Sequence, residues 1–183
     1  MTAFRVHTVM DSPVGPLTLV AEDGRLAGLY MTDQRHLPDA PVFGDRDDAA
    51  EPFTAARAQL TEYFAGERTT FDLPLAPHGT EFQQTVWAAL QEIPYGHTWS
   101  YGQLADHIGN PQASRAVGLA NGRNPIGIVI PCHRVVGSTG SLTGYGGGLE
   151  RKQALLELER AQTRPPSVVG PRTGPLVPRS SGA

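Results

Sequence analysis

The 183-residue chain predicts an α+β fold built from two unlike halves. Three observations carry that expectation. Strand-like segments separated by turn dipeptides fill the first 31 residues, the pattern of a β-meander. Thr80-x-x-Gln83 and Ser100-x-x-Gln103 are capping boxes, in which a side chain and the backbone satisfy each other's free donors at a helix start. Pro77-His78-Gly79 separates the two textures and divides the chain into a domain over 1–79, a domain over 80–160 and a tail over 161–183.

The elements follow in order. Phe4 to Met10, Leu17 to Ala21 and Leu26 to Met31 are expected as strands, with Ser12-Pro13 and Asp23-Gly24 supplying the turns. Residues 32–51 are polar, acidic and proline-containing, which predicts a surface loop. A helix from about Pro52 to Ala65 sets Ala56, Leu60 and Phe64 on one face and stops at Gly66. Thr69 to Leu75 is expected to return as a strand. This half reads as frame, without chemistry of its own.

The first capping box opens a helix whose apolar positions Phe82, Val86, Leu90 and Ile93 share a face, and Pro94 stops it. The second opens a short helix with Leu104 and Ile108 inward and Gly109 at its end. Asn110-Pro111 reads as the N-cap and first position of a further helix running to about Asn121. Two helices joined by so short a turn form a helix-turn-helix. The second carries Arg115 among Ser114, Ala116, Gly118 and Ala120; such small residues suit a nucleic-acid groove and equally suit tight packing within the protein. Leu149 to Arg160 is the last helix. From Ala161 onward the composition predicts a disordered tail, in which Leu176-Val177-Pro178-Arg179-Ser180 resembles a protease-cleavage tag.

Composition narrows the function. No apolar run approaches the ~18 residues of a membrane span. The N-terminus lacks a basic stretch before an apolar core, and one cysteine suits a reducing compartment, so a cytoplasmic protein is expected. Net charge is −3, but it is unevenly spread: residues 1–79 hold 12 acids and 6 bases, whereas 93–135 hold Arg115, Arg123 and Arg134 against Asp106 alone. Such asymmetry hints at a polyanionic partner, although three arginines also fit a solvated face.

The chemistry centres on Cys132, the single cysteine, inside Ile130-Pro131-Cys132-His133-Arg134-Val135. It can make no disulfide within the chain and no thiolate zinc cage. A lone cysteine is often a buried filler. Here Val129-Ile130 predicts a buried strand leading to the sulfur, and His133 and Arg134 follow as groups that favour a thiolate, the form that attacks. The glycine-rich stretch Gly144-Tyr145-Gly146-Gly147-Gly148 lacks the spacing of a nucleotide-binding loop and reads as a mobile segment with Tyr145 as a wall.

These residues resemble the signature of the O6-alkylguanine-DNA alkyltransferases, or methylated-DNA–protein-cysteine methyltransferases. The likeness runs through Arg115-Ala116-Val117-Gly118, Asn124-Pro125, the Cys132 motif and Tyr145-Gly146-Gly147-Gly148-Leu149 to Glu159. It covers about Thr80 to Glu159 closely, and residues 4–75 more loosely as a ribonuclease-H-like domain. The resemblance implies irreversible transfer of an alkyl group from O6-methylguanine, and more slowly from O4-methylthymine, to Cys132 after base flipping. His133 would act as base through a water, with Glu159 fixing its tautomer and Asn124 tying the helix-turn-helix to the active-site strand. Tyr101 would press on the phosphate 3′ of the lesion and protonate the departing guanine. Arg115 would fill the space of the flipped base, with Ser138 a further DNA contact. The carbonyls of Cys132 and Val135 would read the exocyclic amine and the Gly146 N–H would meet O6, while Tyr145 and Gly147 would line the pocket. The implied partner is double-stranded DNA, bound by a monomer, with cooperative binding left open; no cofactor and no membrane is implied. Zinc is not expected, because the N-terminal cysteines of metal-containing relatives are missing. Gly127 stands where some relatives have proline, which predicts a roomier pocket.

Three other readings compete. An alkyltransferase-like lesion binder would lack Cys132. A purely DNA-binding regulator has no use for Cys132, His133 or Glu159, and a cysteine hydrolase would need an oxyanion hole and turnover.

Overall fold

A computed structural model describes residues 3–163 and shows a mixed α+β architecture. Strands β1 (Arg5–Met10), β2 (Leu17–Glu22) and β3 (Arg25–Met31) form the expected antiparallel meander. A fourth strand, β4 (Asp45–Arg46), pairs parallel with β1 and completes the order β3-β2-β1-β4. The segment 32–51 is therefore more than a loop: it holds a 3₁₀ turn over Ala40–Phe43 as well as this strand. Gly44 joins them at φ 75°, and a Cβ there would sit 1.9 Å from the Arg5 carbonyl, so only glycine fits.

Helix α1 (Phe53–Phe64) buries Phe53, Ala56, Leu60 and Tyr63. That face is rotated from the expected one: Tyr63 points inward, and Phe64 is left at the rim. The predicted strand over Thr69 to Leu75 does not form. Gln59 holds the backbone of Asp72 from both sides, and proline cannot donate to a ladder, so a single bridge between Leu26 and Leu75 remains.

Both capping boxes are made. They open α2 (Glu81–Leu90) and, after β5 (Trp99–Ser100), α3 (Tyr101–His107). Helix α4 (Ser114–Gly122) starts later than Asn110-Pro111 suggested. The Ala113 N–H bonds the Asn110 carbonyl, closing a turn that uses up Pro111 and Gln112. A 3₁₀ turn over Cys132–Arg134 leads into β6 (Val135–Val136), which pairs parallel with β5. Helix α5 (Leu149–Thr163) runs past Arg160, so residues 161–163 are helical rather than tail; the rest of the predicted tail lies outside the described residues.

One apolar cluster runs through both halves, from Leu17, Leu29 and Leu60 to Leu90, Val117 and Leu155. Each such side chain contributes about 1.5–3 kcal/mol by leaving water. Trp87 crosses from α2 to donate its indole N–H to the Ala120 carbonyl, fixing α4 at its base. Among the described residues no helix is long and apolar enough to cross a membrane.

Candidate active site

The chain between α4 and Cys132 is a loop, where the sequence predicted a strand. Asn124 staples it: its Nδ2 donates to the Ile130 carbonyl at 2.7 Å, and its Oδ1 accepts the Ile126 N–H at 3.0 Å. The N–H groups of Val129 and Cys132 each bond a carbonyl two residues back, so the donors a ladder would use are consumed locally. Ile128 is held at φ 69°, a conformation costly for a β-branched residue, and is kept there by burial and by the staple around it. The loop also grips the N-terminal sheet. Leu29 donates to the Pro125 carbonyl at 2.9 Å, and Gly127 donates to the Leu29 carbonyl at 3.3 Å. A proline at 127 would forfeit the second bond.

This loop delivers Cys132, His133 and Arg134 into the interior on one turn, with His133 fully buried. Glu159, also fully buried, comes to meet them from α5. Its Oε2 lies 2.6 Å from His133 Nε2, and its Oε1 accepts Arg134 Nε at 2.7 Å. Burial alone would raise the Glu159 carboxyl, but the bonds from His133 and Arg134 outweigh it and hold the group at about 2. The carboxylate fixes the histidine tautomer: Nε2 carries the proton, and Nδ1 keeps a lone pair with no partner among the described residues. Burial, Arg134 and Lys152 push His133 below its ordinary 6.5 against the pull of Glu159. The ring is therefore neutral at pH 7 and free to accept a proton.

Arg134 does not serve the sulfur as the sequence suggested. Its guanidinium is spent on Glu159 and on the Ile93 carbonyl, and it lies over the Tyr95 ring. The Cys132 thiol is pushed up by burial, against the Asn124 amide and the charge of Lys152. The resting sulfur is thus a thiol that needs a base. Lys152 is the cation near it. Its Nζ is buried on the carbonyls of Val135 (2.5 Å) and Thr143 (2.8 Å), with no carboxylate partner among the described residues, and burial lowers it to about 8.

Space around the sulfur is layered. A cleft of about 500 Å³ is lined by Tyr101, Gly118, Leu119, Arg123 and, from the N-terminal half, Arg35 and His36. Behind the wall Gly144-Tyr145-Gly146, which both spaces share, lies an inner cavity of about 30 Å³ lined by Cys132, Asn121, Asn124, Gly127 and Gly147. A Cβ on Gly147 would come within 2.6 Å of Met31 Sδ and 2.9 Å of the Tyr145 ring, so glycine lets the wall close. The Gly146 carbonyl accepts the Arg35 N–H at 2.7 Å, whereas the Gly146 N–H has no partner among the described residues.

The structure brings together Cys132, His133, Glu159, Asn124, Val135, Tyr145, Gly146 and Gly147. Tyr101 stands at the cleft, its hydroxyl donating to the Thr143 carbonyl at 3.3 Å, the same oxygen that Lys152 holds. Both expected amine-reading carbonyls already have partners: Val135 O takes Lys152, and Cys132 O takes the Val135 N–H and, at 3.4 Å, Asn121 Nδ2. Arg115 and Ser138 lie apart on the surface, Arg115 one turn from the exposed Leu119 on α4. Sequence reasoning missed Lys152, Asn121 and Tyr63, whose hydroxyl also reaches Glu159. For Lys152 a signal existed, since positions 152, 155, 156 and 159 share one helical face.

A family profile described as 6-O-methylguanine DNA methyltransferase, DNA binding domain, matches residues 81–161, and its ribonuclease-like domain matches residues 6–77. The methylated-DNA–protein-cysteine methyltransferase of Mycolicibacterium paratuberculosis is 56% identical over 154 residues, 84% of this chain and 92% of that protein. That of Methanosarcina acetivorans is 51% identical over 156 residues, 84% of this chain and 97% of that protein. The structure of Mycobacterium tuberculosis OGT in complex with DNA is similar at TM-score 0.82 and 54% identity, covering 86% of this chain and 94% of that one.

Proposed function

The chain belongs to the 6-O-methylguanine DNA methyltransferases, the methylated-DNA–protein-cysteine methyltransferases, and we propose that it repairs double-stranded DNA by moving the alkyl group of O6-methylguanine onto its own Cys132. The observation that carries the reading is a buried thiol followed by a neutral histidine whose Nε2 is pinned 2.6 Å from an ionised carboxylate. That is the order of nucleophile, base and orienting group.

In the proposed step, a water carries the Cys132 proton to Nδ1 of His133, and Glu159 stabilises the imidazolium. The sulfur then attacks the O6 methyl carbon; the S–C bond forms as the C–O6 bond breaks. Tyr101 gives its proton to the departing guanine and regains one from solvent. The Gly146 N–H meets O6, and the exocyclic amine takes a second lone pair on Val135 O and displaces the long Asn121 bond at Cys132 O. Lys152 steadies the developing thiolate.

A methyl on O6 inside the duplex cannot line up with a buried sulfur, so the base is flipped out, at a cost of a few kcal/mol. The inner cavity of about 30 Å³ holds no purine, so the wall at 144–147 moves as the base enters. Helices α3 and α4 act as the helix-turn-helix, with the exposed Arg115–Leu119 face toward the DNA; Arg115 fills the vacated stack and Ser138 adds a contact. Residues 80–160 carry the transfer and residues 1–79 frame it. The protein works as a cytoplasmic monomer, and O4-methylthymine reacts more slowly.

A thioether carbon has no good leaving group at neutral pH, and a chain with one cysteine has no second thiol to release it. Incubation with excess O6-methylguanine duplex should therefore give one methyl per chain, on Cys132 by mass spectrometry. Continued turnover, or methyl on another residue, refutes the reading. Cys132→Ala should bind the lesion and transfer nothing.

A further inference from the structure

Tyr63 lies on the last turn of α1, in the half that reads as frame. Its ring is fully buried, edge-on to Phe64 and Tyr95 at centroid distances of 5.2 and 6.2 Å. Phenylalanine would meet that packing equally well. The hydroxyl has a separate use: it donates to Glu159 Oε2 at 2.5 Å, the oxygen that also faces His133 Nε2. Arg134 holds Oε1 and reaches Oε2 at 3.3 Å. A carboxylate accepts at about four lone-pair positions, and three side chains from two elements now make four donor contacts to this one.

We propose that Tyr63 is a positioning residue of the alkyl-transfer site, fixing Glu159 and drawing off part of its charge so that His133 rests neutral and takes a proton only as Cys132 reacts. The inference rests on the reading of His133 as the base. The groups facing His133 divide clearly. Arg134 and Lys152 disfavour its cation, as does burial, and Glu159 alone favours it. Tyr63 weakens that one opposing group, and does so at every working pH, because burial and Glu159 keep its own proton in place. Tyr95, edge-on to the Tyr63 ring, and Tyr145, beside Cys132, hold their protons as well, so neither adds charge. The N-terminal half thus reaches the reacting histidine through one hydroxyl.

The test is Tyr63→Phe in the full chain, read two ways: the ring titration of labelled His133 by NMR, and the pH profile of methyl transfer from O6-methylguanine duplex. Losing one hydrogen bond to a charged acceptor should raise the His133 midpoint by about one pH unit and carry the acid limb of the rate profile with it. Phe64→Leu loosens the same packing without touching Glu159, and should leave the midpoint in place. An unmoved midpoint in Tyr63→Phe, or an equal shift in Phe64→Leu, overturns the proposal. The unaltered protein gives a check that needs no variant: a slowly exchanging Tyr63 hydroxyl proton in contact with the His133 Nε2 proton is expected, and its absence also overturns the proposal. The titration reports on Tyr63 whether or not methyl is transferred, so a protein that transfers none would refute the alkyl-transfer reading alone.

Discussion

Replacing Glu159 with glutamine tests the centre of the site, and its cost can be worked from the structure in two ways. The carboxylate accepts from Tyr63, His133 and Arg134 with no exposed surface. Glutamine offers one oxygen and turns an NH₂ toward donors, leaving the buried Arg134 with the Ile93 carbonyl as its remaining fixed partner. Breaking a buried charge pair from one side costs about 3–5 kcal/mol. The titration gives a similar figure. A carboxyl held at about 2 instead of 4.5 differs by roughly 2.5 pH units, or about 3 kcal/mol at 1.36 kcal/mol per unit. For a chain of this length the melting temperature should fall by roughly 6–20 °C.

The sign with pH follows from a depressed acid. The stabilisation is complete above the unfolded value near 4.5 and is lost as pH falls toward the folded value near 2. Thermal unfolding of Glu159→Gln and of the unaltered protein should therefore differ most at pH 6–8, and the gap should close between pH 4.5 and 2. Single-turnover transfer, measured where both are folded, should slow by about 10²-fold or more, the usual worth of a positioned base. Equal melting temperatures at pH 7, a gap that ignores acid, or an unchanged rate would refute the assignment of Glu159 as an ionised anchor.

Two further substitutions probe different links. Lys152→Met removes the buried ammonium while filling its volume; transfer should slow about tenfold and its pH profile should move to higher pH, whereas stability in urea should change by under about 2 kcal/mol, since the desolvation of an unpaired cation is relieved as its bonds are lost. Arg115→Lys and Arg115→Ala should both slow repair of duplex DNA yet spare reaction with free O6-benzylguanine, because a planar guanidinium fills the stack and an ammonium does not. If Arg115 only touched a phosphate, Arg115→Lys would be nearly silent, and the alanine variant would lower the salt slope by about one.

What the sequence made legible was local. Capping boxes at Thr80 and Ser100 need four consecutive residues each, and both form as read. The meander is written in alternation and turn dipeptides, and Cys132-His133 with Glu159 stood out through family likeness. Several misreadings trace to contacts made at a distance. Strand β4 exists only because β1 lies beside it. Val129-Ile130 has strand composition, but its backbone is used up nearby: Asn124 Nδ2 takes the Ile130 carbonyl, and the Val129 and Ile130 N–H groups bond the Gly127 and Ile126 carbonyls. Arg134 was assigned to the neighbouring sulfur, and its guanidinium instead spans 25 residues to Glu159. Tyr63 lies 96 positions from the oxygen it binds, beyond the reach of any pattern in the chain.

The closed wall at Gly144-Tyr145-Gly146 also bears on how the protein survives unused. Cys132 is only 7% exposed as a residue, at a cavity with room for no more than a water or two. Peroxide and small soluble electrophiles react with thiolates at the surface. Here burial favours the thiol form of the sulfur, and the wall stands between it and the outer cleft. On the proposed function, a reagent that acts once would thereby be kept fresh, and the object that opens its container would be the lesion it consumes.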